Sequence, residues 1–395
     1  MNQTVRAELL TMAAEDDRVR TELAADGSLF EGYHPRMAAL HHANAERLTA
    51  IIDEHGWPTP ETVGPEGAAA AWTIVQHAIA DPGLQHRVLA TADGPPERLA
   101  VLADRIAFFE GRPQTYGTQS DWADDGVLRP WDLDDPAHVD ERRATVGLPP
   151  LDPRPTTDGE PPPGDPRLRR AHARVWARSA GWRQPPLADI LEDHVTVAAP
   201  QLLGCEITAN GVTVRVTEVE AYAGQGEDPG SHSHRGRTPR NAPMFGPPGH
   251  IYVYFTYGMH WCLNITCGPD GWAAGTLIRA GQVIDGIDTA RHRRGPAVRD
   301  RDLARGPARL AKALAVTGPD SGSPALDGTG PVHLRPPSNP PADFGNGPRT
   351  GVGGEAATTP WRFWIPGDPT VSPYRPHSPR NRSRTPGGHR PESRA

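Results

Sequence analysis

The stretch GHIYVYFTYGMHWCLNITCG, residues 249–268, holds two runs of aromatic and β-branched residues on either side of a Tyr-Gly pair. Such runs are typical of β-strands, so the stretch predicts a β-hairpin with a tight turn at Tyr257-Gly258. Tyr252 and Tyr254 share one face of the first strand, because side chains alternate along a strand. Both a core hairpin and a stacking surface explain these two rings. Tyr257 at the tip needs a use of its own, for example insertion between DNA base steps.

The alternating stretch NGVTVRVTEVEAY, residues 210–222, predicts a further strand that follows an Asn-Gly turn. Its even-numbered residues share one face, which changes from valine at 212, 214 and 216 to Glu218, Glu220 and Tyr222. A buried carboxylate costs free energy unless it has a partner. Two interpretations therefore stay open: the strand emerges into solvent, or the two carboxylates have a function.

The loop GSHSHRGRTPRN, residues 230–241, lies between these strands and is rich in basic residues. Its histidines and arginines are His232, His234, Arg235, Arg237 and Arg240. Arginines among glycine, serine and threonine suit phosphate contacts, but a solvated loop has the same composition. Zinc would need two ligands beyond the two histidines. Cys262 and Cys267 are five positions apart in a strand and so point to opposite faces, and no metal site is predicted.

The composition limits the class of protein. The chain has 395 residues, enough for two or three domains, and its 45 prolines and 42 glycines indicate long loops. No apolar run is long enough to span a membrane, and the first residues lack the apolar core of a signal peptide. Three cysteines make no disulfide framework and favour a reducing cytoplasm. The net charge is −7, with the acidic excess before residue 187, so nucleic acid, if bound, would meet the rest of the chain.

Residues 1–150 predict a mostly helical domain. Apolar residues at helical spacing predict three helices, MAALHHANAERLTAIIDEHGWP, GAAAAWTIVQHAI and PPERLAVLADRIAFFEG. Gln76, His77 and the segment QTYGTQ (114–119) are polar groups in this apolar context. They indicate either hydrogen bonding inside a helical bundle or a small binding or catalytic pocket.

Two segments predict no fold of their own. Residues 151–186 include a dense run of prolines and predict a linker. Residues 376–395 are rich in arginine and proline and predict a disordered tail. The remaining segment, residues 187–375, is therefore expected to form the second domain.

Five blocks of sequence follow one another along residues 187–372: VTEVEAYAG, RGRTPRNAPMFGPPGHIYVYFTYGMHWCLNI, LIRA, GPARLAKAL and PWRFWIPG. In this order they resemble the alkyladenine (3-methyladenine) DNA glycosylase family. The resemblance implies a mixed α+β fold, in which helices surround an antiparallel β-sheet and a DNA-intercalating β-hairpin protrudes into the minor groove. Residues 1–150 resemble a bacterial domain family that has no assigned function.

The resemblance also implies roles for residues at the matching positions. Glu220 would be the catalytic acid that activates the attacking water, with Arg279 near that water. Four residues would form the pocket for the flipped base: Tyr222, His232, Tyr254 and Asn264. Tyr257 and Met259 would intercalate into the duplex. Contacts with the DNA backbone would come from Arg235, Arg237, Arg240, Arg294 and Arg309.

The implied function is a monofunctional DNA glycosylase of base excision repair. It would flip and hydrolyse off alkylated or deaminated purines (3-methyladenine, 7-methylguanine, hypoxanthine, ethenoadenine) and leave an abasic site. Its partner would be double-stranded DNA with damaged purines. It would be a cytoplasmic monomer, associated with the nucleoid through DNA binding, without metal, cofactor or membrane contact. Lys312 is the single lysine, which favours hydrolysis over strand cleavage through a Schiff base.

Two other hypotheses stay open. The chain could be a catalytically silent binder of damaged DNA, although Glu220, Tyr222 and Tyr257 argue against this. Alternatively, the N-terminal domain is the working module and the C-terminal half delivers it to DNA.

Overall fold

The structure is a computed structural model of the chain, and it describes residues 2–30, 32–123, 125–151, 164–256 and 258–378. None of the described helices combines the length and the apolar character that crossing a membrane requires.

The N-terminal region is mostly helical, as the sequence predicts. Its main helices are α1 (Gln3–Ala25), α2 (Pro35–His55), α3 (Pro60–His77), α4 (Pro82–Thr91) and α5 (Pro96–Phe109). Three of them confirm the predicted helices, and the Asn2 side chain caps α1 by accepting a hydrogen bond from Val5 N at 3.2 Å. Proline occupies the first turn of α2 to α5, where its missing N–H leaves no hydrogen bond unmade.

The core of this region lies where α1, α2 and α3 meet. Leu9, Leu48 and Ile74 are among its fully buried residues. Ala68, Ala70 and Ala71 are small buried residues of α3, and α3 packs closely against α1. The fold of the region is thus an amphipathic helical bundle built from local sequence patterns.

The segment QTYGTQ is held by the carboxylate of Asp104 on α5. One oxygen of Asp104 accepts hydrogen bonds from Thr115 N and Tyr116 N at 3.0 and 3.1 Å, and the other accepts from Thr118 N at 2.9 Å. Gln114 donates to the carbonyls of Gln119 and Trp131. Structural hydrogen bonding therefore accounts for this segment. A short antiparallel pair, β1 (Ser120–Trp122) and β2 (Leu128–Pro130), and helix α6 (Val139–Thr145) follow it.

The linker prediction is wrong for residues 164–186. Helix α7 (Pro166–Ser179) is capped by Asp165, whose side chain accepts a hydrogen bond from Arg167 N. Ala171 and Val175 on this helix belong to the C-terminal core, whereas Ala177 and Trp182 belong to the N-terminal core. The prediction rested on the prolines of this segment and missed an amphipathic helix that packs against both cores. The proline-dense residues 152–163 lie outside the described residues, as does most of the predicted tail, 379–395.

The C-terminal region confirms the predicted mixed fold with a large antiparallel sheet. Two short helices, α8 (Leu187–Leu191) and α9 (Val195–Gln201), precede it. The strands are β3 (Glu206–Ala209), β4 (Val212–Tyr222), β5 (Ile251–Thr256), β6 (His260–Cys267), β7 (Ala274–Asp285), β8 (Ala304–Arg305), β9 (Val332–Arg335), β10 (Gly345–Gly347) and β11 (Arg362–Trp364). Helices α10 (Ile287–Arg294) and α11 (Pro307–Leu314) pack beside it.

The order β10-β11-β4-β7-β6-β5 places β4 and β7 at the centre of this sheet. Strand β3 pairs with β4 through the predicted Asn-Gly turn, where Asn210 and Gly211 have positive φ values of 49° and 75°. Strands β5 and β6 form the predicted hairpin at the opposite edge, and Gly258 in its turn has a φ of 67°. The hairpin is therefore an edge element whose tip can protrude from the sheet.

Candidate active site

One row of paired residues crosses the sheet and defines the site. Glu220 on β4 is opposite Leu277 on β7, Leu277 is opposite Asn264 on β6, and Asn264 is opposite Tyr252 on β5. Residues directly opposite each other in a sheet point to the same face. Glu220 therefore shares a face with Asn264 and with the tyrosines of the hairpin.

Two register shifts in the β4–β7 pair lie beside this row. Val216 pairs with Gly281, Glu218 with Ala280 and Val219 with Ile278, so that Thr217 and Arg279 have no opposite residue within this strand pair. Such bulges redirect side chains. They also end the strict alternation expected for β4, because residues 216–221 are all buried.

Arg279 lies between the two glutamates of β4. Its Nε is 3.0 Å from Glu218 Oε1, and its Nη1 is 3.5 Å from Glu220 Oε2. Nε also donates to Ser372 Oγ at 3.2 Å. The guanidinium group is thus oriented by Glu218 and Ser372 while one nitrogen faces Glu220.

Glu218 is a buried counter-ion and is not at a solvent-facing strand end. Arg362 Nε donates to its Oε1 at 2.6 Å, and Ser372 N donates to its Oε2 at 2.7 Å. With Arg279, the carboxylate therefore holds two arginines. The sequence pattern marked Glu218 but predicted no role for it, because Arg362 and Ser372 lie about 150 residues downstream.

Glu220 is fully buried, and each of its oxygens has a hydrogen bond. Oε1 accepts from Thr350 N at 2.7 Å, and Oε2 accepts from the Tyr222 hydroxyl at 3.0 Å. Burial raises the pKa of Glu220 above its ordinary value, and the charge of Arg279 opposes that rise only in part. A carboxylate of raised pKa is a stronger base once it is ionised.

Tyr222 is held from behind by a buried ion pair that the sequence did not predict. Arg349 pairs with Asp228 through both guanidinium Nη atoms, at 2.5 and 2.7 Å, and its Cζ lies 4.6 Å from the centroid of the Tyr222 ring. Burial, and then the charge of Glu220, raise the pKa of Tyr222 well above its ordinary value, so the phenol stays protonated and donates to Glu220. No short motif joins residues 228 and 349, so only the fold reveals this pair.

The other predicted pocket residues lie around the hairpin. The rings of Tyr254 and His232 are 4.7 Å apart and perpendicular, with an interplanar angle of 85°. The Tyr252 hydroxyl lies 3.2 Å from His232 Nδ1, and Asn264 Nδ2 donates to the Tyr252 carbonyl at 2.9 Å. Partial burial, and then the charge of Arg240, lower the pKa of His232, which favours a neutral ring. Tyr252 itself is buried and part of the fold.

The predicted DNA-contacting residues fall into two groups. Arg235, Arg237 and Arg240 are exposed on the loop before β5, where Arg240 Nη2 donates to the Phe255 carbonyl at 2.8 Å. Met259 is 67% exposed at the hairpin tip, and Tyr257 lies outside the described residues.

Arg294 and Arg309 form the second group, on α10 and α11. Arg309 is exposed, whereas Arg294 is partly buried and its Nε donates to the Leu303 carbonyl at 2.8 Å. Burial, followed by the charge of Arg309, lowers the pKa of Arg294. The two cations are therefore near each other on a different element from the loop arginines.

Comparison with known proteins agrees with this geometry. Residues 189–369 match the model of the methylpurine-DNA glycosylase (MPG) family. A Streptomyces avermitilis protein named "Putative 3-methyladenine DNA glycosylase" is 52% identical over 212 residues, which are 51% of this chain and 96% of that protein. A Nocardia farcinica protein of the same name is 51% identical over 188 residues, 46% of this chain and 88% of its own length. The chain belongs to the methylpurine-DNA glycosylase family.

The family assignment confirms the resemblance found in the sequence, and the C-terminal half is a DNA glycosylase. A Frankia casuarinae protein of the same name is 48% identical over 203 residues, which are 49% of this chain and 94% of that protein. Residues 3–154 match a family of unknown function, DUF6624. The glycosylase half therefore accounts for the alignable length of these relatives, and the N-terminal region is an addition to it.

Proposed function

We propose that the glycosylase half flips alkylated or deaminated purines out of double-stranded DNA and hydrolyses their N-glycosidic bonds. The observation that carries the proposal is the position of Glu220. This buried carboxylate lies on the same sheet face as the pocket amide of Asn264 and beside an arginine, next to an edge hairpin with an exposed tip. The substrate class would include 3-methyladenine, 7-methylguanine, hypoxanthine and ethenoadenine.

Glu220 would activate the attacking water. Cleavage of an N-glycosidic bond passes through an oxocarbenium-like state, which a nearby carboxylate stabilises while it accepts a proton from water. The charge of Arg279 would favour the ionised form of Glu220, in partial opposition to burial, and Arg279 would orient the water. Glu218 would act through Arg279, because it fixes the guanidinium without contacting the substrate.

The flipped base would stack on the rings of Tyr222 and Tyr254. Stacking on an aromatic ring contributes about 1–3 kcal/mol per base, and cationic alkylated purines gain a further attraction to electron-rich rings. The perpendicular arrangement of Tyr254 and His232 has a consequence here. A base parallel to Tyr254 presents its edge to His232, so stacking on both requires the exposed His232 ring to turn. The amide of Asn264 would obstruct the amino group of normal guanine.

The hairpin would separate the bases of the duplex. Met259 and Tyr257 would enter the stack as wedges, which offset the cost of a few kcal/mol for removing a base from it. Arg235, Arg237 and Arg240 would contact phosphates on the same side, since they lie on the loop that leads into this hairpin.

The enzyme would be monofunctional. Lys312, the only lysine in the chain, lines a groove with Met259 and Trp261 on the side of α11. None of the residues around Glu220 lines that groove. This position on the side of α11, outside the residues around Glu220, favours hydrolysis over Schiff-base chemistry. The product would be an abasic site in an uncut strand.

The test is release of the free modified purine from a duplex that contains hypoxanthine or 3-methyladenine, with EDTA present. The wild-type chain and the variant Glu355→Gln, a matched change at an exposed glutamate, should release the base. Glu220→Gln should bind the duplex but release base about 10²–10⁴-fold more slowly. Equal rates for Glu220→Gln and wild type would overturn the assignment of Glu220. Cutting of the strand that Lys312→Gln abolishes would overturn the monofunctional mechanism.

A further inference from the structure

A second cluster of titratable side chains lies in the N-terminal region, far along the chain from the glycosylase residues. Asp16 on α1, His41 on α2 and His77 at the end of α3 converge, and one ligand atom from each lies within 4.8 Å of the other two. His77 Nδ1 is 2.8 Å from Asp16 Oδ1, and His41 Nε2 is 3.1 Å from Asp16 Oδ2. Among the described residues this is the one group of histidine, cysteine and acidic side chains within metal-ligand reach of one another.

Two atoms of the cluster have no hydrogen bond with any residue that the structure describes. Asp16 Oδ2 and His41 Nε2 are both buried, and the geometry between them is not that of a hydrogen bond. The two atoms face each other at ion-pair distance, and buried polar atoms usually have a well-formed partner, so a metal ion bound by both would satisfy them. Two donor atoms bound to one tetrahedral zinc ion lie about 3.3 Å apart, given metal–ligand distances near 2.0–2.2 Å. The 3.1 Å between these two atoms is close to that value.

The other ring nitrogen of His41, Nδ1, already has a hydrogen-bond partner. The Tyr33 hydroxyl lies 2.9 Å from His41 Nδ1, so this nitrogen is engaged and Nε2 is turned towards Asp16. Histidines that bind metals are commonly oriented by a hydrogen bond to their other ring nitrogen. The arrangement of Tyr33, His41 and Asp16 therefore has the parts that a metal ligand and its support require.

The cluster borders a cavity of about 230 Å³ that carries positive charge. His41, His77 and Tyr33 line it together with Arg20 and Arg105. No described acid forms an ion pair with either arginine, and Arg105 Nε is buried without a hydrogen bond. Burial, followed by the charge of Arg20, lowers the pKa of Arg105 to about 10, so its guanidinium remains charged at neutral pH. Two unpaired guanidinium groups in one cavity suit an oxyanion.

We propose that the N-terminal region binds a divalent transition-metal ion through Asp16, His41 and His77, and that the adjoining cavity takes an oxyanion on the ion and on Arg20 and Arg105. Two imidazoles and one carboxylate are a donor set for zinc and other first-row divalent ions, and three protein ligands leave a position open for a further ligand. The oxyanion also resolves the electrostatics, because it offsets the repulsion between the ion and the two arginines.

The metal site is tested with Zn²⁺ alone on the full-length, tag-free chain after treatment with EDTA. Isothermal titration should show one zinc ion per chain, and Co²⁺ should give visible absorption bands of a nitrogen- and oxygen-ligated ion. Loss of a supporting residue already weakens metal binding about 10–100-fold, so His41→Gln and Asp16→Asn should weaken it at least as much. His42→Gln, a change at the exposed neighbour, should bind like wild type. Thermal melting in EDTA shows whether each variant folds.

A zinc affinity that is equal in wild type, His41→Gln and Asp16→Asn would overturn the site. So would a loss in His42→Gln as large as that in His41→Gln, because the binding would then be that of surface histidines.

The oxyanion is tested with inorganic phosphate added to the zinc-loaded chain. Phosphate should bind wild type and Arg98→Gln, whose substitution is at an exposed position on the same helix, α5. Arg105→Gln should lose phosphate binding and keep its zinc affinity. Equal phosphate binding in Arg105→Gln and wild type would overturn the role of the arginines in the cavity.

Discussion

The two halves of the molecule each hold a buried charged cluster, but the clusters are built in opposite ways. In the glycosylase half, two carboxylates and two arginines contact one another, and two of these residues are neighbours on a single strand. In the N-terminal half, Asp16, His41 and His77 come from three helices, and no acid in the described part of the chain forms an ion pair with the adjoining arginines. The first cluster balances its own charge, whereas the second has an excess of positive charge.

The two clusters differ in how far apart their residues lie in the sequence. A strand that crosses a site contributes several site residues close together in sequence, as in EVEAY, and such a short motif is visible in the sequence. Helices deliver one residue each from points that are 25 to 36 positions apart, so no motif forms. In the sequence, His77 stands out as a polar residue in an apolar helix, whereas nothing distinguishes Asp16 and His41.

Charge balance in the glycosylase cluster predicts the largest effect on stability. Glu218→Gln leaves Arg279 and Arg362 without their shared carboxylate and should lower the free energy of unfolding by about 3–5 kcal/mol. Glu220→Gln removes a costly buried charge while Arg279 keeps Glu218, so its stability should equal or exceed that of wild type. Calorimetric unfolding of both variants measures the contrast. Equal losses of stability would mean that Glu218 and Glu220 contribute to folding in the same way.

The corresponding change in the N-terminal cluster should cost less. Asp16→Asn weakens the hydrogen bond between His77 and a buried carboxylate and removes the charge that faces His41, and we expect a loss of about 1.5–3 kcal/mol in EDTA. Asp17→Asn, at the exposed neighbour, serves as the control and should leave the transition unchanged. If Asp16→Asn lowers the stability of the glycosylase half alone, Asp16 does not stabilise the N-terminal cluster and the comparison fails.

Stacking on Tyr254 comes next in size. Tyr254→Leu should weaken binding of a duplex with a modified purine by about 1–3 kcal/mol, because one ring face is lost. The titration is made in the Glu220→Gln background, where the substrate is not consumed, and Tyr374→Leu provides an exposed tyrosine as control. An unchanged affinity would place the base elsewhere in the site.

The raised pKa of Glu220 predicts opposite pH trends for activity and stability. The folded protein keeps this proton to a higher pH than the unfolded chain, whose glutamate has the ordinary value of 4.5. Stability from this group is therefore lost as the pH rises from 4.5 through the folded pKa, while kcat/KM rises over the same window as the base ionises. Tyr222→Phe removes a hydrogen bond that lowers this pKa and should move the rising limb of kcat/KM to higher pH. If the rising limb of kcat/KM stays at the same pH in this variant, Tyr222 does not affect the pKa of Glu220.

The smallest effects belong to the exposed loop arginines. Arg237→Gln should weaken DNA binding evenly across sequences and reduce the slope of log K against log salt by about one. Arg129→Gln, on the exposed side of β2, should leave that slope unchanged. A large, base-dependent loss in Arg237→Gln would indicate that this residue contacts the base and not a phosphate.

Local patterns predicted the elements that depend on local chemistry. The hairpin at 251–267 and the Asn-Gly turn at 210–211 follow from β-branched runs and from residues that tolerate positive φ. The helices α2, α3 and α5 follow from apolar spacing and terminal signals. The linker prediction was wrong at α7. The prolines nearby indicated a linker, and the amphipathic pattern of the helix stabilises it only because the helix packs against both cores.

The sequence by itself determined the glycosylase family and the hairpin, and it singled out Glu220, Tyr222, Tyr254 and Asn264 as predicted site residues, because these lie in short motifs. Only the tertiary structure decided what surrounds them. The bulges in β4 and β7 that bring Arg279 between two carboxylates depend on strand register, and the pairs Arg349–Asp228 and Arg362–Glu218 join residues more than 100 positions apart. Burial, which raises the pKa of Glu220 and leaves Asp16 and His41 facing each other without a bond, is a property of the packed chain and of no segment within it.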